Sequence, residues 1–442
     1  MQTAKDNFEL VSAENRFIGA AHGGRNCFLT GMAGTGKSTL LRRFITETTK
    51  RVDITAPTGV AALNVGGMTI HRFCGMMLGP QPGQSNEEYF DQLRRDPRKS
   101  ILAGFNRVKR CQVLVIDEIS MLPGRQFDFV EFLFRRLRGR DEPFGGCQVI
   151  ATGDFLQLPP VRTNEGVPYD WAFQSEAWCS AELKMIQLET VRRQDEPTFV
   201  SALSNFRNGR VWGECARVLQ SRVRSNPPST MTRLFTHNVQ VDKWNAFQLS
   251  ELPGDESVLE AELTGPDIQR EFLIKNLLTP ATLRLKAGAM VMFTVNKTAQ
   301  GANLPLHVNG QVGIVERIQL SGRKSHLTPT LSPKGGEGEK IWVRLADGRC
   351  IEVEPFTWRY SQEDDAATFT QFPLRLAWAM TIHKSQGLTL DAAYLDIRAA
   401  REPGQAYVAV SRVRTLAGLN FKEWFKGVHV SPEAIQFYKE AA

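Results

Sequence analysis

The 442-residue sequence lacks any run approaching the ~18 consecutive apolar residues of a membrane span, so no membrane-crossing helix is expected. Its first residues, MQTAKDNFEL, carry neither an apolar export segment nor an Arg-rich presequence, and a cytoplasmic protein is expected. Cysteine is scarce and scattered: Cys27, Cys74, Cys111, Cys147, Cys179, Cys215 and Cys350 include no closely spaced pair. That odd set fits a reducing compartment and excludes a Cys-based zinc or redox motif read from spacing. Internal repeats are absent too. What remains is an ordinary globular composition, 42% hydrophobic and 23% charged. The length suggests two to four domains at roughly 150 residues each. The net charge of +7 favours a polyanionic partner, although many enzymes without one are as basic.

The first half alternates short apolar strands with helical stretches, the rhythm of a parallel α/β sheet. Its clearest strands are Cys27–Gly31, Val52–Ala56, Val113–Asp117 and Gln148–Gly153. Between His71 and about Phe105 the pattern breaks into Gly, Pro, Gln and charged residues, read as a small insertion over about 72–105. After Trp178 a second series is expected, with strands near Met185–Leu188 and Leu234–His237. Short alternating strands (QVGIVERI, KIWVRLADG, RCIEVEPF) then mark a small β-barrel over 297–371. Within it, Ser321–Glu339 is Gly-, Pro- and Ser-rich, which predicts a disordered hairpin tip. The expected organisation is α/β: a first domain over 1–178, and a second over 179–296 and 372–442 that carries the barrel.

Gly31–Ser38 reads GMAGTGKS, a full phosphate-binding loop between a strand and the helix predicted over Ser38–Phe44. Glycines let successive backbone amides face one anion, and the helix N-terminus adds partial positive charge. Gly31, Ala33, Gly34, Thr35, Gly36, Lys37, Ser38 and Thr39 therefore form the candidate nucleotide cradle. Lys37 is expected at the β- and γ-phosphates and Ser38 at Mg²⁺. The strand VLVIDE ends in Asp117 and Glu118, a metal-holding carboxylate and a base for the attacking water. No Asn-Lys-x-Asp guanine-reading sequence occurs, so ATP is the expected nucleotide.

Further segments carry a family resemblance. Gly153–Val161 (GDFLQLPPV) resembles the third motif of superfamily 1 helicases, in which Gln157 senses the γ-phosphate. Ala56–His71 (APTGVAALNVGGMTIH) resembles their segment that grips single-stranded DNA; Pro57, Thr58, Gly59, Thr69 and His71 are its candidate contacts. Trp378–Gly387 (WAMTIHKSQG) resembles the fifth motif, with Thr381, His383 and Lys384 toward DNA and Gln386 and Gly387 toward the nucleotide. Ala406–Arg412 (AYVAVSR) resembles the sixth, whose Arg412 is implied to be an arginine finger. Arg193, in LETVRRQ, is a second candidate finger at the fourth motif, with Arg192 standing where the family has an aromatic residue.

Within the superfamily the chain is most similar to the petite-integration-frequency (PIF) helicases, RecD-like and of bacterial type. Phe127–Gly146 (FDFVEFLFRRLRGRDEPFGG) is similar to that family's signature and also reads as an amphipathic helix ended by a turn. The insertion at 297–371, with Asn309-Gly310 near its start, matches where the family carries an SH3-like barrel, and Asn309 is a candidate DNA contact. Asn15 stands where an adenine-reading glutamine is expected.

The resemblance implies two RecA-like P-loop NTPase domains acting as a monomeric ATP- and Mg²⁺-dependent motor at the nucleoid. It implies 5′-to-3′ movement on single-stranded DNA, with forked duplexes, RNA–DNA hybrids and G-quadruplexes as substrates, in repair, recombination and telomere maintenance. The alternatives are a DNA-stimulated translocase that remodels protein–DNA complexes without strand separation, and a nucleotide-gated loader. Phe73, Trp378 and Trp358 are candidate base-stacking residues.

Overall fold

The computed structural model describes residues 12–162, 167–224, 226–228, 231–298, 305–319, 339–360, 366–425 and 427–441. Its chain forms two compact units, one of Met1–Asp195 with Val430–Ala442 and one of Glu196–His429.

The first unit is built on a parallel sheet of β1 (Cys27–Gly31), β2 (Val52–Ala56), β3 (Met68–Thr69), β4 (Val113–Ile116), β5 (Gln148–Gly153) and β6 (Lys184–Leu188), ordered β3-β2-β4-β5-β1-β6. Strands covered on both faces read as unbroken apolar runs, and β4 (VLVI) is buried throughout. Their period of two divides the core. Val113 and Val115 join Leu29, Phe44 and Ile150 on one face; Leu114 and Ile116 join Phe28, Phe129 and Phe134 on the other.

Three expectations change here. Strand β6, expected to open the second domain, pairs in parallel with β1, Leu29 opposite Ile186. The small insertion expected over 72–105 holds two helices, Asn86–Arg95 and Lys99–Arg110, the second of which runs past its expected end and packs into the core of the first unit. Ser85 and Glu88 form a reciprocal capping box at the first, and Tyr89, Phe90, Ile101 and Phe105 sink into the core beside Phe129. Apolar side chains stay in solvent at the tip before them, Met77 and Leu78, and at Leu102 on the second helix. Finally, the helix Pro432–Glu440, expected in the second domain, belongs to the first unit. Phe437 stacks on Phe173 at 4.7 Å and meets Phe155 edge-on at 5.2 Å.

The signature segment does fold as a helix, Gly124–Arg138, burying Phe127, Phe129, Leu133 and Phe134. Its exit is tied down: the Phe144 amide donates to Glu131 Oε1 at 3.2 Å, and Arg138 donates to the Gly145 and Cys111 carbonyls at 2.7 and 2.6 Å. The cysteines also depart from expectation. Cys111 and Cys147 precede the adjacent strands β4 and β5, and their sulfurs lie 3.6 Å apart in the core. Hydrogen bonding to Cys147, and burial, hold the Cys111 thiol protonated.

The second unit has a four-stranded parallel sheet in the order Ala379–Thr381, β7 (Thr232–Phe235), Ala393–Leu395, Leu419–Phe421. An antiparallel five-stranded sheet runs Cys350–Val353, Lys340–Leu345, Val312–Gln319, Met290–Phe293, Leu374–Leu376. A smaller one joins Phe356–Arg359, Thr368–Gln371 and Glu262–Thr264. The antiparallel region is therefore wider than 297–371. The strands that extend it, MVMF and LRL, give no sequence sign of which sheet they join, since short strands of this kind suit either type. The hairpin tip expected over 321–339 falls outside the described residues, except Glu339.

Candidate active site and nucleic-acid interface

At the carboxyl end of β1 the chain turns through Gly31–Gly36 into the helix Lys37–Glu47. Gly31 and Gly34 take φ of +145° and +83°, which favours glycine. A Cβ at Gly31 would also lie 2.5 Å from the Leu188 carbonyl oxygen. The loop curls around its own lysine: Lys37 Nζ donates to the carbonyls of Gly31 at 2.7 Å and Met32 at 3.0 Å. Thr35 Oγ1 donates to Met32 O at 2.9 Å, which tightens the same turn. Ala33 and Thr35 are buried, whereas Ser38 and Thr39 are exposed on the first turn of the helix.

Two strands across, β4 delivers the carboxylates. Asp117 is buried and hydrogen-bonded by the Thr152 hydroxyl of β5. Burial pushes its pKa up, opposed by that hydroxyl and by the charge of Lys37. Glu118 holds a left-handed backbone, φ +54°, a conformation costing a non-glycine residue about 1–3 kcal/mol. Such strain concentrates at working sites.

From β5, the GDFLQLPP segment turns inward, and every residue of Gly153–Pro160 is buried. Gln157 Nε2 donates to Asp154 Oδ2 at 3.3 Å, so the expected sensor is held by a neighbouring buried carboxylate.

Arg193 departs from expectation. A finger from the second motor domain was the reading, yet Arg193 lies in the first unit, packed on the phosphate loop itself. The Arg192 amide donates to Gly34 O at 2.8 Å, and a Cβ at Gly34 would lie 2.5 Å from Arg193 Cβ. Arg192 also pairs with Glu14, which brings the first helical turn, with the exposed Asn15, to the flank of the loop. The cause is β6: once it joins the first sheet, the residues after it must cross the phosphate loop.

The expected DNA-gripping segment serves the fold first. Thr58 Oγ1 accepts from the Ala61 amide at 3.2 Å and Thr69 Oγ1 from the Arg72 amide at 3.3 Å, capping two short helices. Each hydroxyl keeps its proton as a donor for another acceptor. Gly59, a candidate contact, is buried; Pro57 and His71 are half-buried. Burial lowers the His71 pKa, partly offset by a hydrogen bond with Gln126.

In the second unit, Thr381 is buried and its hydroxyl accepts the Lys384 amide at 3.3 Å. It shapes the turn that carries the exposed His383 and the half-buried Lys384. The Asn309 amide donates to Asn296 Oδ1 at 2.7 Å, while Asn309 Oδ1 and Gln386 Nε2 are buried without hydrogen-bond partners among the described residues. Gly387 follows with φ +81°. Arg412 is buried, donating from Nε to Val408 O at 2.8 Å and from Nη2 to Ser411 Oγ at 2.9 Å.

Arg375 is the residue that sequence reading missed. Its Nε and Nη1 are buried without hydrogen-bond partners among the described residues. Burial pushes its pKa down to about 10; the pKa of Lys384 is lowered by burial first and then by the charge of Arg375. Asp242 acts on both in the opposite direction. The sequence signal was a lone arginine in an apolar strand, LRLAWAM, where an unpaired charge is costly. Of the candidate stacking residues, Phe73 and Trp378 are core residues, while Trp358 is half-buried against Phe356 and Phe369.

A strand–loop–helix phosphate cradle beside a parallel sheet, with Asp-Glu on a neighbouring strand, defines a RecA-like P-loop nucleotide hydrolase. Comparison with known proteins narrows it. Residues 13–213 match the model of the family described as PIF1-like helicase. The ATP-dependent DNA helicase Pif1 of Bdellovibrio bacteriovorus is 35% identical over 98% of this chain and 92% of its own length. The ATP-dependent DNA helicase PIF1 of Xenopus laevis is also 35% identical over 98% of this chain, which spans 64% of that protein. Crystal structures of Bacteroides Pif1 cover 98% of this chain and 96% of theirs. The complex with ADP-AlF4 has a TM-score of 0.79 at 28% identity, and the form bound to single-stranded DNA 0.63 at 29%. The chain belongs to the PIF1-like helicases.

Proposed function

We propose that this chain carries out its family's activity, ATP-dependent DNA unwinding, with the nucleotide site of its first unit and DNA contacts on both units. The observation that carries the reading is the phosphate cradle itself, where the Lys37 ammonium is drawn inside a glycine loop near the buried Asp117 and the strained Glu118.

Lys37 and the loop amides hold the phosphates, and Asn15 lies at the flank where the adenine is read. Ser38 and Asp117 suit Mg²⁺, since a hard cation takes oxygen ligands and one of these is a carboxylate otherwise costly to bury. That ion supplies charge neutralisation at the β- and γ-phosphates. Glu118 orients a water and takes its proton as the water oxygen attacks the γ-phosphorus; the bond to the ADP oxygen breaks. Gln157 reads the γ-phosphate and Arg193 stabilises the charge that develops there; Arg412 is the candidate arginine finger of the second unit. Gln386 and Gly387 line the nucleotide side of the fifth motif.

Each unit has its own candidate contacts to single-stranded DNA: Pro57, Thr58, Gly59, Thr69 and His71 in the first, and Asn309, His383 and Lys384, with Thr381 as a support, in the second. Arg375 is proposed as a further phosphate partner, because an anion relieves a buried guanidinium beside a second cation. The contacts are to backbone, so binding is salt-sensitive and tolerant of sequence. The exposed Met77–Leu78 tip favours strand separation over translocation alone, since an apolar pair in solvent suits packing against the terminal base pair. The antiparallel region of the second unit is taken as the SH3-like barrel. Movement is 5′-to-3′ by a monomer in the cytoplasm at the nucleoid. Forks, RNA–DNA hybrids and G-quadruplexes are the substrates, in repair, recombination and telomere maintenance. No helix among the described residues is long and apolar enough to cross a membrane.

The test is strand separation on two partial duplexes that differ only in carrying a 5′ or a 3′ tail, with ATP and Mg²⁺. Opening of the 5′-tailed duplex alone is expected. Opening of the 3′-tailed one alone reverses the polarity. If neither opens while single-stranded DNA stimulates hydrolysis, the remodelling translocase replaces the helicase.

A further inference from the structure

The helix Pro432–Glu440 is short, yet it ends inside the nucleotide machinery of the first unit. Ser431 caps its N-terminus, accepting the Ala434 amide at 3.1 Å, and Phe437 locks it into the aromatic cluster of Phe155, Phe173 and Trp178. The next residue, Tyr438, carries its hydroxyl between two strands of the sheet. It lies 2.7 Å from Thr30 Oγ1, on the last turn of β1 before the phosphate loop. It accepts the Phe155 amide at 3.2 Å and lies 3.4 Å from Asp154 Oδ1, both in the GDFLQLPP segment after β5.

One proton arrangement satisfies the whole set. A phenol oxygen accepts twice and donates once. Thr30 Oγ1 and the Phe155 amide donate to it, and its own proton goes to Asp154. Asp154 is fully buried, and a buried carboxylate must be surrounded by donors to stay ionised. The Leu156 amide donates to Oδ1 at 3.1 Å, Tyr438 completes that oxygen, and Gln157 Nε2 donates to Oδ2 at 3.3 Å. The side chain of Gln157 is thus aimed by a carboxylate whose own orientation depends on Tyr438.

We propose that Tyr438 is a positioning residue for ATP hydrolysis, setting the γ-phosphate-sensing Gln157 through Asp154 and keying it to the strand that enters the phosphate loop. The inference rests on the reading of Gln157 as a sensor. It gives the final helix a task in hydrolysis, where helix packing alone would need only the apolar face of Phe437. Losing the hydroxyl removes one of the donors that orient Asp154, and so loosens the carboxylate that aims Gln157. A side chain displaced by about 1 Å from a working geometry costs up to about 10²-fold in rate.

The experiment is a double-mutant cycle on the full chain, with Tyr438→Phe, Gln157→Ala and the pair, read as steady-state ATP hydrolysis in saturating single-stranded DNA. Tyr438→Phe is expected to lower kcat about tenfold while KM for ATP moves less than about twofold, because the loss falls on the transition state. In the Gln157→Ala background the same change is expected to cost less than about twofold, since the side chain it positions is gone. Thermal midpoints, measured alongside, are expected to stay within about 3 °C. An equal loss of kcat with either residue at position 157, or an unchanged kcat in Tyr438→Phe, overturns the proposal. A separate outcome, wild-type turnover by Gln157→Ala alone, overturns the sensor reading itself.

Discussion

The two units assemble their sites in different ways. In the first, GMAGTGKS and GDFLQLPP leave the ends of β1 and β5 and the Asp-Glu of VLVIDE ends β4, so motifs far apart in sequence arrive together at the carboxyl ends of neighbouring strands. In the second, Arg375 enters from an antiparallel strand, Lys384 from a tight turn after a parallel one, and Asp242 from the helix Asn238–Ser250. One site is written as contiguous motifs whose backbone does much of the binding. The other is a meeting of single side chains, each ordinary in its own stretch of sequence. Nucleotide chemistry should therefore fail sharply and locally, and DNA grip should fail by degrees.

The largest test of that contrast sets Lys37→Ala against Arg412→Ala. Loss of Lys37 is expected to lower hydrolysis by at least about 10³-fold, with single-stranded DNA binding still measurable by fluorescence anisotropy. Loss of Arg412 is expected to lower hydrolysis by about 10³-fold or more, as for an arginine finger, while a labelled nucleotide still binds. Normal turnover in Lys37→Ala would remove the phosphate-site assignment. Lost nucleotide binding in Arg412→Ala would make that arginine a ground-state ligand instead.

This difference also explains what could be read in advance. Strands β1, β2 and β5 begin and end where the sequence places them and β4 stops one residue short; β1, β4 and β5 are buried throughout, whereas β2 (VDITA) carries Asp53 and is only partly covered. The cradle and the Asp117–Glu118 pair were legible because each is contiguous in sequence. What was not legible is adjacency. Nothing local in KMIQL tells that it lies beside β1, so Arg193 was assigned to the wrong unit. Nothing in the spacing of Cys111 and Cys147 tells that adjacent strands bring their sulfurs together. The final helix could be recognised as a helix, but its docking on the first unit depends on an aromatic cluster drawn from four separate segments. Thr58 and Thr69, candidate DNA contacts in the sequence, also cap helices, and Thr before a helical run is a capping signal that was there to read.

A smaller effect tests the second unit. Arg375→Gln removes one cation without changing the length of the side chain much. It is expected to weaken single-stranded DNA binding about three- to tenfold and to reduce the magnitude of the log K against log [salt] slope by about 0.7. ATP binding without DNA should not change. An unaltered slope would make Arg375 a structural cation balanced by Asp242. A loss of DNA binding as abrupt as the loss of hydrolysis in Lys37→Ala would break the contrast between the units.

The smallest effect concerns the antiparallel region, where a histidine is held neutral by packing. His307 is buried, stacks on Phe293 with ring centroids 4.0 Å apart, and donates from Nδ1 to Val295 O at 3.1 Å. Burial pushes its pKa down to about 4, opposed by that hydrogen bond and aided by the charge of Lys297. In the unfolded chain the same imidazole titrates near ~6.5. The folded pKa is the lower one, so the unfolded state takes up the proton first as pH falls. The contribution to stability is complete above about 6.5 and is lost as pH drops toward about 4. Thermal unfolding between pH 7 and pH 5 is expected to show a midpoint that falls by roughly a few degrees more in the wild type than in His307→Gln, which has no charge to gain. Parallel curves for the two proteins would mean that other groups set the acid sensitivity. Were hydrolysis without DNA to follow the same pH curve as unfolding, the nucleotide site would depend on the second unit's packing, and the independence inferred from its contiguous motifs would be lost.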